Sequence, residues 1–241
     1  MKLVKEHELI WSPVVANNRM NRKRKASGVN SYEQELRFKP EAFLDARITG
    51  SGQAKWLDLC CGEGNALLQY AESLAKRDLQ EKAILKGIDL VDQFQEIPPS
   101  IHCLEFQIRP LVGWSTDMTF DLITCIHGLH YIGDKIAVLT AALRALAPKG
   151  VFIANFDVDS IKIEGNEKGT YIKQALLAHK IDYQHKRKMI TCTGPRNLET
   201  GLVFLGADDQ RGPNYTGQET VDGYYRLHAD YQQQATKSQR Q

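Results

Sequence analysis

Residues 55–65 read KWLDLCCGEGN, and the fold turns on how they are interpreted. Trp56, Leu57, Leu59, Cys60 and Cys61 form an apolar run broken only by Asp58, the pattern of a short strand buried on both faces. Gly62 and Gly64 then end the strand in a tight turn. From Asn65 onward, Ala66, Leu67, Leu68, Tyr70, Ala71, Leu74 and Ala75 recur with a helical period. Strand, glycine turn and helix in this order present bare backbone N–H groups to a ligand at the positive end of a helix.

Two ligand-binding turns compete for these residues. A dinucleotide fold requires G-x-G-x-x-G, whose third glycine lets the helix pack close to the strand. That third position is Leu67, so the fingerprint fails. The alternative pattern, D-x-x-x-G-x-G, is filled by Asp58, Gly62 and Gly64. Downstream, residues 83–90 (AILKGIDL) read as a second buried strand with Asp89 at its C-terminal end, where a carboxylate accepts from both hydroxyls of a ribose. Residues 120–126 (FDLITCI) read as a fourth strand and residues 150–156 (GVFIANF) as a fifth. Between them Ile136, Leu139, Leu143 and Leu146 recur at helical spacing, and residues 147–150 (APKG) close that helix.

With these landmarks in order, residues 54–157 resemble class I methyltransferases dependent on S-adenosylmethionine (SAM). Asp58 to Gly64 is similar to that family's first motif, and LRALAPKGVFIA to the turn before its fifth strand. The resemblance implies an α/β fold: a doubly wound, seven-stranded, mostly parallel sheet with its last strand antiparallel. Helices on both faces make it a three-layer α/β/α sandwich, with a small N-terminal cap. It also implies SAM as cofactor, bound among Asp58, Cys60, Gly62, Gly64, Asp89, Leu90, Ile108 and Cys125, with Tyr32 reaching in from the cap.

The third strand departs from the family pattern. Residues 101–107 (IHCLEFQ) read as a strand, but Ile108 and Arg109 follow where the family carries an acidic residue near the adenine. Adenine recognition then falls to the backbone of Ile108 and to apolar packing, since Glu105 comes too early in the strand. Trp114, in the following loop, is a candidate cover for the ring or a packing residue.

After the fourth strand comes CIHGLHYIGDK, residues 125–135. The [N/D/S]-P-P-[Y/F/W] motif of enzymes that methylate exocyclic amines of bases is absent. Cys125 also lacks the Pro-Cys context of enzymes that methylate carbon 5 of cytosine in RNA. What remains resembles the x-x-L-H segment of small-molecule methyltransferases. It places His127 and His130 where the fold opens towards the methyl group, and a neutral imidazole there accepts the acceptor's proton. The competing reading is that His130 caps the next helix or packs beneath the sheet. Two histidines without a third ligand do not make a metal site.

A chain of 241 residues is one large domain, or one domain with a small cap. Residues 1–50 read as an N-terminal cap or lid outside the sheet core, 51–226 as the SAM-binding domain and 227–241 as a polar, disordered tail. Within the cap, Pro40 suits the first turn of a helix carrying Ala42, Phe43, Leu44 and Ala46. The basic run at residues 17–25 (NNRMNRKRK) is a solvated arm, or a lid in which Arg19 and Arg22 hold an anionic acceptor. A lone basic cluster without interleaved aromatics, in a chain of net charge +2, argues against nucleic acid as a partner. No apolar run approaches the roughly 18 residues that span a bilayer, and the first residues, MKLVKEHELIW, carry charges where a signal peptide needs its apolar core. The five cysteines read as small buried hydrophobes of a reduced cytoplasm.

In the C-terminal third, residues 167–179 read as a helix with one apolar face. Residues 188–193 (KMITCT) and 202–206 (LVFLG) read as an antiparallel hairpin completing the sheet. Residues 157–169 are expected to build acceptor contacts, and 207–218 to form a turn or loop. The function expected is methyl transfer from SAM to an oxygen or nitrogen of a small-molecule acceptor. RNA or protein methylation through the basic arm, and a non-catalytic SAM-binding protein, are the alternatives.

Overall fold

Alternate side chains of the first strand divide the core. The computed structural model describes residues 2–16, 23–165, 169–229 and 231. In it β1 (Ala54–Leu59) sends Leu57 and Leu59 into one hydrophobic cluster and Ala54 and Trp56 into another, on the opposite face of the sheet. This period of two is what a strand covered on both sides imposes.

Among the described residues four helices precede β1: α1 (Glu6–Leu9), α2 (Pro13–Ala16), α3 (Tyr32–Leu36) and α4 (Pro40–Ser51). After it come α5 (Asn65–Lys76), β2 (Ala83–Asp89), β3 (Leu104–Ile108), β4 (Phe120–Cys125), α6 (Lys135–Arg144) and β5 (Leu146–Asn155). The chain continues through β6 (Ile161–Ile163), α7 (Thr170–Ala178), β7 (Asp182–Gln184), β8 (Met189–Thr193), β9 (Leu202–Asp208) and β10 (Asp222–Leu227). Seven strands form the main sheet in the order β3-β2-β1-β4-β5-β8-β7, with β8 antiparallel to both of its neighbours. The doubly wound sheet with its last strand antiparallel is therefore present.

Three details differ from the sequence reading. Residues 202–206 do not pair with 188–193. Leu202–Asp208 pairs antiparallel with Asp222–Leu227, which runs parallel to Ile161–Ile163, making a separate three-stranded sheet. The hairpin partner of β8 is instead Asp182–Gln184, whose two exposed residues and single half-buried tyrosine carry no apolar signal. Leu146 belongs to β5 rather than to the helix before it, because α6 ends at Arg144. Finally α4, within the segment expected to lie outside the sheet core, packs on β1 and β4 and buries Leu44 and Ile48. The readings of Arg19 and Arg22, and most of the polar tail, fall outside the described residues.

Gly64 joins β1 to α5. Its backbone is left-handed, with φ 76°, and it stands at the N-cap of α5. A Cβ there would overlap the ring of Phe106, which stacks on Phe94 at 4.6 Å between centroids. Replacing Gly64 with alanine combines a left-handed conformation, about 1–2 kcal/mol, with displacement of that ring. Gly64→Ala is expected to lower unfolding stability by about 2 kcal/mol or more, read from the urea midpoint.

Candidate active site

The C-terminal ends of β1, β2 and β4 meet around one cleft. Beyond Leu59 the chain turns sharply: Cys60 is left-handed at φ 54° and Gly62 at φ 62°. Cys61 N–H still donates to Ile88 O at 3.1 Å, so the β1–β2 pairing runs on into the turn. Gly62 N–H then donates to Asp89 Oδ2 at 2.8 Å, and Val91 N–H to Asp89 Oδ1 at 3.2 Å. One carboxylate at the end of β2 thus ties the glycine turn to the start of the next loop.

Of the residues expected around the cofactor, Cys60, Gly62, Asp89, Leu90 and Tyr32 line the cleft. Four others do not. Gly64 faces Phe106, and Ile108 is 56% exposed, leaving the wall to Arg109, Leu111 and Val112. Cys125 lies fully buried beneath the turn with its thiol against that of Cys60, where a Cβ on Gly128 would come within 2.6 Å of Cys60 Sγ. Outside that set, Trp114, the candidate cover for the ring, packs into the core.

The fourth, Asp58, is enclosed by protein and has no exposed surface. Its Oδ1 accepts from Thr124 Oγ1 at 2.6 Å and its Oδ2 from Tyr32 Oη at 2.6 Å. Trp56 Nε1 donates to the same Thr124 hydroxyl at 2.8 Å. Burial pushes the carboxyl up to about 7, although both hydroxyl bonds favour its charged form, and the same burial drives the Tyr32 phenol upward.

His127 also lines the cleft; His130 does not. His127 is left-handed at φ 57°, its N–H donates to Asn155 Oδ1 at 3.1 Å, and its Nε2 lies 3.0 Å from Glu35 Oε1. The imidazole hydrogen bond comes first among the causes holding the Glu35 carboxyl low. His130 sits 5.5 Å from His127 between ring centroids, its Nε2 3.1 Å from Tyr215 Oη. Burial, reinforced by the nearby cations, holds His130 well below the usual imidazole range and so keeps it neutral.

The N-terminal segment, expected as a cap, walls the cleft through residues that sequence reasoning did not name, including Glu6, Leu9 and Arg24. Val4 and Ala207 exchange two backbone hydrogen bonds of 2.8 Å, and Ser12 Oγ donates to Asp209 Oδ2 at 2.6 Å. Glu6 Oε2 accepts from Asp134 N–H at 2.9 Å, beside the start of α6. Glu35 and Asn155 were missed as well. The only sequence signal near Glu35 was the start of a short helix: Ser31, its N-cap, accepts from Gln34 N–H at 3.3 Å.

A family model described as a methyltransferase domain matches residues 23–201, and the chain belongs to that family. Among curated proteins it is similar to the ubiquinone biosynthesis O-methyltransferase of Histophilus somni, 25% identical over 195 residues, which are 69% of this chain and 78% of the relative. The enzyme of that name from Idiomarina loihiensis is 28% identical over 117 residues, 45% of this chain and 44% of its own length, so the match spans under half of that relative. Among solved structures, the plantazolicin methyltransferase BpumL in complex with a monoazolic desmethylPZN analog and SAH is 18% identical with a TM-score of 0.38, covering 61% of this chain and 51% of that one. No helix among the described residues is long and apolar enough to cross a membrane.

The Asp58 carboxyl gives a pH test. Free aspartate titrates near 3.8 and the buried group near 7, so folding takes up a proton between them. That contribution to stability is present below pH 4 and lost as pH rises towards 7, up to about 4 kcal/mol at 1.36 kcal/mol per unit. Asp58→Asn does not titrate. Its stability relative to wild type is expected to climb between pH 4 and 8, measured by urea unfolding at each pH.

Proposed function

We propose that this chain transfers the methyl group of SAM to an oxygen or nitrogen of a small-molecule acceptor held in the cleft under the N-terminal segment. The observation that carries this reading is the meeting of the glycine turn with the Asp89 carboxylate at the cleft wall, Gly62 N–H to Asp89 Oδ2. The residues present fit the cofactor part by part. Asp89 offers a carboxylate to the ribose diol, Leu90, Leu111 and Val112 an apolar slot for the adenine, and the backbone of Cys60 to Gly62 a cradle for the methionine end. Arg24 brings a cation for the methionine carboxylate, with only 14% of its side chain exposed.

SAM, when bound, supplies an already activated methyl group on a sulfonium sulfur. The protein's own share is alignment, exclusion of water and movement of a proton. Alignment is worth about 7–11 kcal/mol, and a positioned base about 10²–10⁴-fold in rate. In this reading residues 1–50 act as the cap: the docked contacts of Val4, Glu6 and Ser12 close one side of the cleft. Arg24, part of the basic run, turns towards the cleft, which favours a cap over an RNA-docking arm. The relatives named as O-methyltransferases support oxygen as the methylated atom. The proposed compartment is the cytoplasm, a reading supported by five cysteines that suit a reducing environment.

Two measurements test the proposal. Asp89→Ala is expected to weaken SAM binding by about ten- to a hundredfold in calorimetry, the worth of charge-assisted hydrogen bonds to the ribose. Unchanged affinity would overturn the assignment of Asp89. Incubation of the protein with isotopically labelled SAM and a cell extract is expected to yield a labelled small molecule by mass spectrometry. Label found only in RNA or protein would transfer the activity to those acceptors.

A further inference from the structure

Tyr32 and Glu35 lie three residues apart in α3, which puts them on the same face of one helical turn. Tyr32 is fixed to Asp58 in β1, and Glu35 reaches His127 just beyond β4, the neighbouring strand. Docking the short helix on two adjacent strands therefore builds a carboxylate–imidazole pair at the cleft.

Three residues hold the pair. Arg187 Nη2 donates to the backbone carbonyl of Glu35 at 2.9 Å. Asn155 accepts from His127 N–H at 3.1 Å, and its Nδ2 approaches Glu35 Oε1 at 3.4 Å. Arg24 Nη2 stands 3.9 Å from Glu35 Oε2. An ionised carboxylate is an acceptor only, so the 3.0 Å contact requires the imidazole proton on Nε2. In the neutral ring the other nitrogen, Nδ1, carries a lone pair, and it is buried with no hydrogen-bond partner among the described residues.

Resting on the methyl-transfer reading, we infer that Glu35 is a positioning residue that fixes the His127 tautomer, that His127 Nδ1 is the base, and that the acceptor is a hydroxyl. A hydroxyl needs such a base because it must shed its proton as it attacks, whereas a neutral amine attacks with its own lone pair. The acceptor's O–H bond breaks with both electrons staying on oxygen, and the proton passes to Nδ1. The oxygen forms the new bond to the methyl carbon, and the electron pair of the broken C–S bond stays on sulfur as a neutral thioether. The imidazolium, balanced by Glu35, then returns its proton to water. His130 is not in this role: its Nε2 is engaged by Tyr215 and its ring does not line the cleft.

The test has a ligand-free arm and a kinetic arm. Nitrogen-15 NMR of the His127 imidazole in the intact protein is expected to show a proton on Nε2 and a bare Nδ1. A neutral ring with its proton on Nδ1 would overturn the inference. In the kinetic arm, turnover of phenols of graded acidity with saturating SAM is followed in Glu35→Gln and His127→Gln, whose melting temperatures check folding. His127→Gln is expected to lower kcat by about 10²–10⁴-fold, and the double variant to be no slower than His127→Gln alone, since Glu35 acts through the ring. The deficit should shrink from phenol to 4-nitrophenol, because an acidic hydroxyl needs less help. An equal deficit across the series refutes a base. If no phenol is methylated although calorimetry shows SAM bound, the hydroxyl assignment fails while the cofactor reading stands.

Discussion

A carboxyl group enclosed between two hydroxyls holds this molecule's working end together. Asp58 takes hydrogen bonds from Thr124 on the adjacent strand and from Tyr32 on a short helix far away in sequence. Trp56 completes the chain of donors through the same threonine. Deep burial makes the charge costly, and the two hydroxyls offset that cost only while both are in place. The arrangement fixes where α3 sits, and α3 in turn decides what stands at the mouth of β4.

From that anchor the site follows by geometry. β1, β2 and β4 are neighbours in the parallel sheet, so their C-terminal ends open on one crevice, where this class of sheet binds its ligands. Asp89 closes the seam between the first two by accepting from Gly62 N–H. The wall facing the sheet comes from elsewhere: Val4 rests on β9, Ser12 on Asp209 just beyond it, and Glu6 on the start of α6. The cleft is thus shared between a regular scaffold and an irregular N-terminal segment.

The two parts differ in how far the amino-acid sequence reveals them. β1, β2, β4 and β5 are short apolar runs bounded by turn signals, and Gly62 and Gly64 mark the turn after β1, so these strands were legible, while their doubly wound arrangement came only from the family resemblance. β7 escaped notice because an edge strand of two exposed residues around one half-buried tyrosine has no burial to advertise. β9 was recognised as a strand but given the wrong partner, since nothing local distinguishes one antiparallel neighbour from another. At the site, Gly62 and Asp89 belong to local patterns and were legible. Glu35 meets His127 across 92 positions, and no periodicity carries that information. Asp58 was expected beside the ligand; its spacing is the same whether the side chain turns outward or, as here, into the protein.

The pairing of Val4 with Ala207 has a further effect on the behaviour of the molecule. β9 is an outer strand of the small sheet, and the N-terminal residues lie along its open side. Such margins invite pairing with other chains and seed aggregation. The same few residues that complete the crevice therefore also act as a selvedge, so clipping them would bare a binding surface and a sticky border in one stroke.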